Sequence, residues 1–282
     1  MIVIRPCEDF DELQACVRLQ VETWGYEASD VVPRKLYLVA QKIGGQVLGA
    51  FDTVLEAKKD SGVYIEQERR GGPESMVGFL LALPGVKSEE GRAEPYLHSH
   101  MLAVLESYRN RGLGAQLKRH QRLEALKRGI NLIEWTFDPL EIKNAFLNIH
   151  KLGAIVRRYE VDFYGVSSSR LQGGLPTDRL VAEWRLDSPR VDAALDGHPV
   201  DSYAVADEIV VPAAISAWKA SEALREHALA AQLENRRRFL HAFSHGLAIA
   251  GFYRDEAGNG IFQLAEYQSI HSSFQGFHKY EH

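Results

Sequence analysis

The chain has 282 residues, of which 45% are hydrophobic and 25% charged, and its net charge is −5. This composition is typical of a globular protein with one large or two modest domains, and it argues against proteins that bind nucleic acids or anionic membranes through a basic surface. Two cysteines are too few for a disulfide framework or a zinc cluster, no metal is expected, and no segment approaches the roughly 18 apolar residues of a membrane span. The N-terminus turns acidic where a secretory signal would stay apolar, so we expect a cytoplasmic protein.

Both strands and helices are predicted over the first 165 residues. Residues 10–24 show apolar side chains at helical spacing and precede Gly25, which predicts a helix that ends there. Two apolar runs around Gly44 and Gly45 predict a β-hairpin over residues 37–53. The other predicted elements are strands at residues 2–5, 76–85, 97–105, 130–137 and 154–165 and helices at residues 113–128 and 141–153.

The composition changes after Gly165, where residues 167–180 are rich in Ser, Gly and Pro. Such a segment marks a boundary, so we predict one domain over residues 1–165 and an α/β C-terminal region over residues 166–282. Whether that region folds separately or completes the first sheet is left open. Its predicted elements are a strand at residues 181–186, a turn-rich stretch at residues 187–202, a long helix at residues 213–244 and a hairpin at residues 246–267.

The most informative segment is a predicted strand followed by a glycine-containing turn and a helix. Arg109, Gly112 and Gly114 form the pattern R-x-x-G-x-G at this turn. Glycine lets an anion approach the backbone N–H groups, and the N-terminal end of the helix is partly positive. A tight bend would also need glycine, but the strand-turn-helix context favours a pyrophosphate site. The fingerprints of dinucleotide-binding folds and of P-loops are absent.

This pattern resembles the GNAT superfamily of acyl-CoA-dependent N-acyltransferases over residues 1–165. The glycine pattern follows an apolar strand with Leu102 and Val104, and a second strand and an Asn-bearing helix follow about thirty residues later. More narrowly, residues 98–104, 135–140 and 144–153 resemble a subgroup of predicted acyltransferases with a C-terminal extension. The resemblance implies an α/β fold with a mixed central sheet flanked by helices.

The resemblance also implies a reaction and its donor. The acyl group, acetyl by default, would pass from acetyl-CoA or another acyl-CoA by direct attack of the amine of a small molecule, such as an amino acid. The pyrophosphate would bind the backbone of the turn, and the pantetheine arm would run beside Leu102 and Val104, while Asn144 would contact pantetheine or simply start a helix. The turn consists of Arg109, Asn110, Arg111, Gly112, Leu113 and Gly114.

Basic side chains cluster in the turn and the helix after it. Such a cluster fits a solvated helix face, which we expect for Lys127 and Arg128, whereas those nearer the turn could bind the 3′-phosphate of CoA. The members of this group are Arg109, Arg111, Lys118, Arg119, Arg122, Lys127 and Arg128.

Acyl transfer to an amine needs a general base near neutral pH. His100 is the leading candidate because histidine titrates in this range, and His98 precedes it on the same strand. Alternate residues of a strand share a face unless a bulge intervenes. Asp138 and Glu22 are the carboxylate candidates, although Asp138 could equally cap the next helix.

The general acid is not assigned by the pattern. Many members of the resembled family have a tyrosine that protonates the thiolate, and here that position falls near Ile149. His150, Tyr159 and Tyr164 are the possible substitutes. Without that tyrosine, the alternative function is a CoA sensor or a protein-interaction module with no turnover. The acceptor and self-association into a homo-oligomer are left open.

Overall fold

The computed structural model describes residues 1–53, 72–89, 92–198 and 203–270, which fall into two compact units, residues 1–129 and 130–282. The elements of the first unit are, in order, β1 (Ile2–Pro6), α1 (Phe10–Trp24), α2 (Arg34–Lys42), β2 (Gln46–Asp52), β3 (Met76–Glu89), β4 (Arg92–Val104) and α3 (Leu113–Lys127). Those of the second are β5 (Leu132–Phe137), α4 (Ile142–Ala145), β6 (Ile155–Glu160), β7 (Arg179–Arg185), α5 (Pro189–Asp196), β8 (Asp207–Val211), α6 (Ile215–Ala220), α7 (Arg225–Ser244), β9 (Leu247–Arg254) and β10 (Gly260–Glu266).

The first unit contains an antiparallel sheet in the order β1-β2-β3-β4. Helices α1 and α2 pack on one face of it in an apolar cluster that includes Leu19, Tyr37 and Phe79, each fully buried. Helix α3 packs on the other face, since side chains alternate along a strand and Ala103 belongs to the cluster whereas Val104 and Leu117 both lie beside Gly78.

Helix α1 begins and ends where the sequence predicts. The Asp9 carboxylate accepts hydrogen bonds from two backbone N–H groups of the first turn, and Gly25 ends the helix in a left-handed conformation with φ of 69°. The helix buries Leu13, Cys16 and Leu19.

The predicted hairpin over residues 37–53 is wrong. Its first half is the end of α2, and only its second half is a strand, β2. Helix α2 buries Tyr37 and Ala40, which are three residues apart and therefore lie on one helical face. Gly44 and Gly45 thus follow a helix instead of joining two strands.

The second unit contains a sheet in the order β5-β7-β6-β9-β10-β8. Strand β7 pairs with both β5 and β6, so it lies between two strands that precede it in the chain. Strand β9 adds to the far side of β6. The strands on either side of residue 165 are therefore neighbours in one sheet, and the division into residues 1–165 and 166–282 stays a prediction.

The second unit confirms one of three further predictions and differs from the other two. The hairpin near the C-terminus is confirmed as β9 and β10, which are antiparallel. The stretch predicted to be turn-rich contains α5, which the Ser188 side chain caps. The long helix predicted over residues 213–244 is two helices, α6 and α7, because the chain leaves the helical conformation at Ser221.

The predicted α/β class, with sheets flanked by helices, is confirmed. Within the residues that the structure describes, no helix has the length and apolar character needed to cross a membrane.

Candidate functional site

Strand β4 contains a β-bulge at His100. Met101 pairs with Leu81 of β3 and Ser99 pairs with the next residue, Ala82, so His100 is the extra residue. The Met101 sulfur lies 3.7 Å from the hydroxyl of Tyr37 in α2, whereas the Ser99 hydroxyl accepts a hydrogen bond of 2.9 Å from Lys118 in α3. Ser99 and Met101 would share a face in a regular strand, but here they point to opposite faces of the sheet.

The two histidines of β4 lie close together. The ring centroids of His98 and His100 are 6.1 Å apart, and both side chains are half-buried. Burial lowers the pKa of His100 below its ordinary value of 6.5. The imidazole is therefore mainly neutral at neutral pH, which is the state that a general base requires.

A buried group of polar side chains lies between β2, β4 and α3. We call Gln46, Ser99, Lys118 and Gln121 the polar cluster; each is at most 6% exposed. Lys118 is therefore not on a solvated helix face or free to meet a phosphate, as its place in the basic group predicted. Burial lowers its pKa well below the ordinary 10.5.

The turn between β4 and α3 has an open N-terminal helix end. Asn110 and Gly112 both have left-handed conformations, with φ of 60° and 78°. The Gln116 N–H donates to the Gly112 carbonyl at 3.0 Å, and among the described residues no side chain caps this end. A Cβ placed on Gly112 would meet nothing within 4 Å. The first N–H groups of α3 therefore face a space that an anion can enter.

The basic side chains of the turn have different partners. The Arg109 Nε donates to the Val104 carbonyl at 3.0 Å, which ties the turn back to the end of β4. The Arg111 guanidinium lies 5.5 Å from the ring centroid of Tyr108, whose hydroxyl donates to Asp52 at 2.6 Å. Both arginines are exposed.

The other residues predicted to bind the donor divide by burial. Val104 and Leu113 are buried, so their side chains belong to the core, whereas Leu102 and Gly114 are half-buried. Asn144 is exposed and lies in α4, in the second unit.

Asp138 is engaged in an ion pair in the second unit. Its carboxylate lies 2.7 Å from the ammonium of Lys219 in α6 and accepts the Leu140 N–H at 2.8 Å. Lys219 also pairs with Glu141 at 2.8 Å. Burial lowers the pKa of Lys219, but the two carboxylates outweigh it and raise the value above 10.5. The Asp138 carboxylate therefore already has a structural role, as the partner of the Lys219 ammonium.

The helix that starts with α4 continues as a π-helical turn over Phe146–Lys151. His150 is exposed on this turn, and its ring stacks on Phe146 with centroids 4.5 Å apart. Partial burial and the charge of Lys151 lower the pKa of His150. Ile149, near which the tyrosine of the resembled family falls, is buried.

Tyr159 and Tyr164, the two tyrosines that could serve as the general acid, both have hydrogen-bond partners. The Tyr159 hydroxyl donates to Asp178 at 2.6 Å, and Arg236 binds both carboxylate oxygens of Asp178 at 2.8 Å. Burial, together with Asp178, raises the pKa of Tyr159. The Tyr164 hydroxyl lies 2.9 Å from the Thr136 hydroxyl.

Glu22 lies on the exposed side of α1, where one carboxylate oxygen is 3.4 Å from the Arg18 Nε. Among the described residues, no three His, Cys, Asp or Glu side chains form a group that could hold a metal ion.

By their positions in the elements, the predicted residues other than Glu22 fall into two sets. His100, Leu102, Val104 and residues 109–114 lie on the continuous segment of β4, turn and α3 in the first unit. The second set follows β5 in the second unit and consists of Asp138, Asn144 and His150. Sequence reasoning missed the polar cluster, for which the sequence offers only a weak signal: Ser99 is a small polar residue between His98 and His100 in a predicted strand.

One comparison with known proteins gives a family match, and the matched range includes the glycine turn. The model of the acetyltransferase (GNAT) family matches residues 20–148, and no curated protein matches the sequence. Among solved structures, the ribosomal-protein-S18-alanine N-acetyltransferase of Escherichia coli is 15% identical, over 66% of this chain and 94% of that chain, with a TM-score of 0.44.

NAA60 of Arabidopsis thaliana, in complex with acetyl-CoA, is 14% identical, over 65% of this chain and 98% of that chain, with a TM-score of 0.49. Membership of the subgroup with a C-terminal extension stays a prediction. Residues 20–148, a range that contains the bulged strand and the whole glycine turn, match the model of the acetyltransferase (GNAT) family.

Proposed function

We propose that this chain is an N-acyltransferase that moves an acyl group, acetyl by default, from acyl-CoA to the amine of a small molecule such as an amino acid. The observation that supports it most is the uncapped start of α3, directly after a bulged strand and within the family match. The two buried free thiols, Cys7 and Cys16, fit a reducing compartment such as the cytoplasm.

In this proposal the first N–H groups of α3 bind the donor pyrophosphate. The open space at Gly112 lets phosphate oxygens reach them, and the helix dipole adds to the attraction. Arg111 lies in the same turn and adds a positive charge to it. The open start of α3 and the positive charge of Arg111 therefore fit the negatively charged pyrophosphate of acyl-CoA.

His100 supplies the base in the proposed reaction. Its neutral imidazole accepts a proton from the acceptor ammonium, and the freed amine then attacks the thioester carbonyl. The new C–N bond replaces the C–S bond, and the CoA thiolate leaves and takes up a proton. Asp138, Glu22 and His150 stay candidates, although the Lys219 ion pair leaves Asp138 less suited than His100 to proton transfer.

The phosphate site is tested with calorimetric binding of acetyl-CoA to Gly112→Asp and Gly112→Asn. The two side chains have nearly the same shape and cause the same backbone strain. The difference between the two affinities for acetyl-CoA therefore measures the effect of one negative charge beside the phosphates. We expect the Asp variant to bind at least about tenfold more weakly than the Asn variant, because like charges repel at this distance.

Gly129→Asp is the matched control at the opposite end of α3. Gly129 also has a left-handed conformation, with φ of 70°, and a Cβ added to it would likewise meet no atom within 4 Å. This variant should bind acetyl-CoA as the wild type does. Equal affinities of the two Gly112 variants in folded protein would show that the phosphates bind elsewhere.

A second candidate function is a CoA-binding sensor without turnover. The lack of a tyrosine near Ile149 favours it, because Ile149 is buried and its side chain has no proton to donate. Thiol release from acetyl-CoA with pooled amino acids distinguishes the two functions. An enzyme releases thiol only when an amine is present, whereas a sensor binds acetyl-CoA saturably and releases none. Release with a peptide but not with amino acids would replace the small-molecule acceptor by a peptide.

A further inference from the structure

The polar cluster is unusual because all four of its side chains are buried. Lys118 is 3% exposed, Ser99 6% and Gln121 0%. Burying such groups costs free energy unless each is hydrogen-bonded, and apolar side chains of similar size would fill the space without that cost. Polar groups at such positions do, however, specify one arrangement of the elements that they join.

The hydrogen bonds of the polar cluster join three elements. The Lys118 Nζ in α3 donates to the Ser99 hydroxyl in β4 at 2.9 Å and to the Gln121 Oε1 at 3.0 Å. The Ser99 hydroxyl donates to the same Gln121 oxygen at 3.3 Å. Gln46, at the start of β2, donates to the Gln121 carbonyl at 3.2 Å.

Ser99 and Met101 flank the bulge and are fixed to opposite faces. Ser99 is bound to α3 through Lys118, and Met101 contacts the fully buried Tyr37 of α2 on the other face. A shift of one residue in a strand moves its side chains to the other face. If the bulge moved past Ser99, the hydroxyl would enter the apolar cluster around Tyr37 and lose its bonds to Lys118 and Gln121.

We propose that the polar cluster fixes the β-bulge at His100 and thereby positions the imidazole of His100 for proton transfer. Lys118 and Ser99 are positioning residues in this arrangement, since they act through the strand and not on the substrate. The role in proton transfer rests on the proposed function. The role in fixing the bulge does not.

The position of the bulge is measured by NMR titration of the histidine side chains. In Lys118→Met and Ser99→Ala the His100 environment should no longer be unique, so its pKa should return toward the ordinary value and its signals should broaden or double. Ser99→Thr keeps the hydroxyl and should titrate as the wild type does. Gln232→Met, which removes another buried glutamine from α7 in the second unit, is the control for general destabilisation.

Steady-state kinetics test the consequence for the reaction. Lys118→Met and Ser99→Ala should lower kcat about 10- to 100-fold, because a small misplacement of a catalytic group has an effect of this size. The KM for acetyl-CoA should stay unchanged, since the glycine turn is intact. The double variant should be no worse than the worse single variant, because both changes release the same bulge.

An unchanged His100 titration in both folded variants would overturn the proposal. So would a loss of activity in Gln232→Met as large as that in Lys118→Met, since the effect would then follow stability alone. If Lys118→Met does not fold, Ser99→Ala decides the outcome, because it removes a single oxygen. If the titration responds but the wild type shows no amine-dependent turnover, the proposed function fails and the fixing of the bulge stands.

Discussion

Among the described residues, Lys118 and Lys219 are buried, and these two lysines should respond to pH in different ways. Lys118 has the neutral partners Ser99 and Gln121, and burial lowers its pKa, whereas Lys219 lies between Asp138 and Glu141, and its pKa is raised. We therefore expect Lys118→Met to change the pH dependence of folding stability near neutral and mildly alkaline pH. Lys219→Met should not change it there.

The magnitude follows from the number of protons bound in each state. Between the folded pKa of Lys118 and 10.5, the unfolded chain holds a proton on this amine that the folded chain has lost. The free energy of unfolding therefore rises with pH through this window, by up to about 1.4 kcal/mol per pH unit. For Lys219 the raised folded pKa places the loss of stability above 10.5, outside the range of the measurement.

The assay is urea unfolding of the wild type and both variants from about pH 7 to about pH 10. The other titrating groups are common to all three proteins. The difference in the free energy of unfolding between wild type and variant therefore reports the contribution of the substituted lysine alone. The wild type should gain stability over Lys118→Met as the pH rises, and its difference from Lys219→Met should stay constant. Parallel curves for wild type and Lys118→Met would show that the buried amine keeps its proton, which would refute the reasoning.

Two further predictions concern single side chains. His100→Gln should remove an acidic limb below about pH 6.5 from the kcat/KM profile, since burial favours the neutral base; a profile that keeps this limb would exclude His100 as the base. Asp178→Asn should lower the free energy of unfolding by about 3–5 kcal/mol, because the Arg236 charge loses its partner and Tyr159 an ionised acceptor. Asp196→Asn, at an exposed position of α5, is the control, and equal losses in the two variants would contradict the importance of this ion pair.

The glycine turn could be predicted from the sequence because its determinants are local. A left-handed conformation is accessible to glycine without steric cost, and the strand and helix on either side have their own periodicity. The structure has this conformation at Gly112 and also at Asn110, a residue type that tolerates it. Local rules therefore sufficed for this part of the candidate site.

The failed hairpin shows that one local signal fits two structures. A left-handed glycine serves a tight hairpin, but it also ends a helix. Here Gly44 has φ of 92°, and the Gly45 N–H donates to the Ala40 carbonyl at 2.6 Å, as in a helix C-terminus. Tertiary packing of Tyr37 against Phe79 favours the helix over the hairpin, and the sequence pattern does not show this contact.

The polar cluster could not be predicted for a related reason. The partners Ser99 and Lys118 lie 19 residues apart and meet only after α3 has packed on the sheet. Helical periodicity alone gives Lys118 no reason to be buried, since lysine is almost never found in that state without a partner. The same limit applies to β7, whose two neighbours in the sheet are set by long-range pairing.

The position of β7 between β5 and β6 sets an order on the assembly of the second unit during protein synthesis. Strands β5 and β6 emerge from the ribosome before residues 179–185 do, so these two strands emerge with edges that only a later segment can cover. Uncovered strand edges pair readily with other chains. Between the release of Glu160 and the release of Arg185, the edges of β5 and β6 that β7 later covers are therefore open to such pairing, and the other edge of β6 stays open until β9 follows.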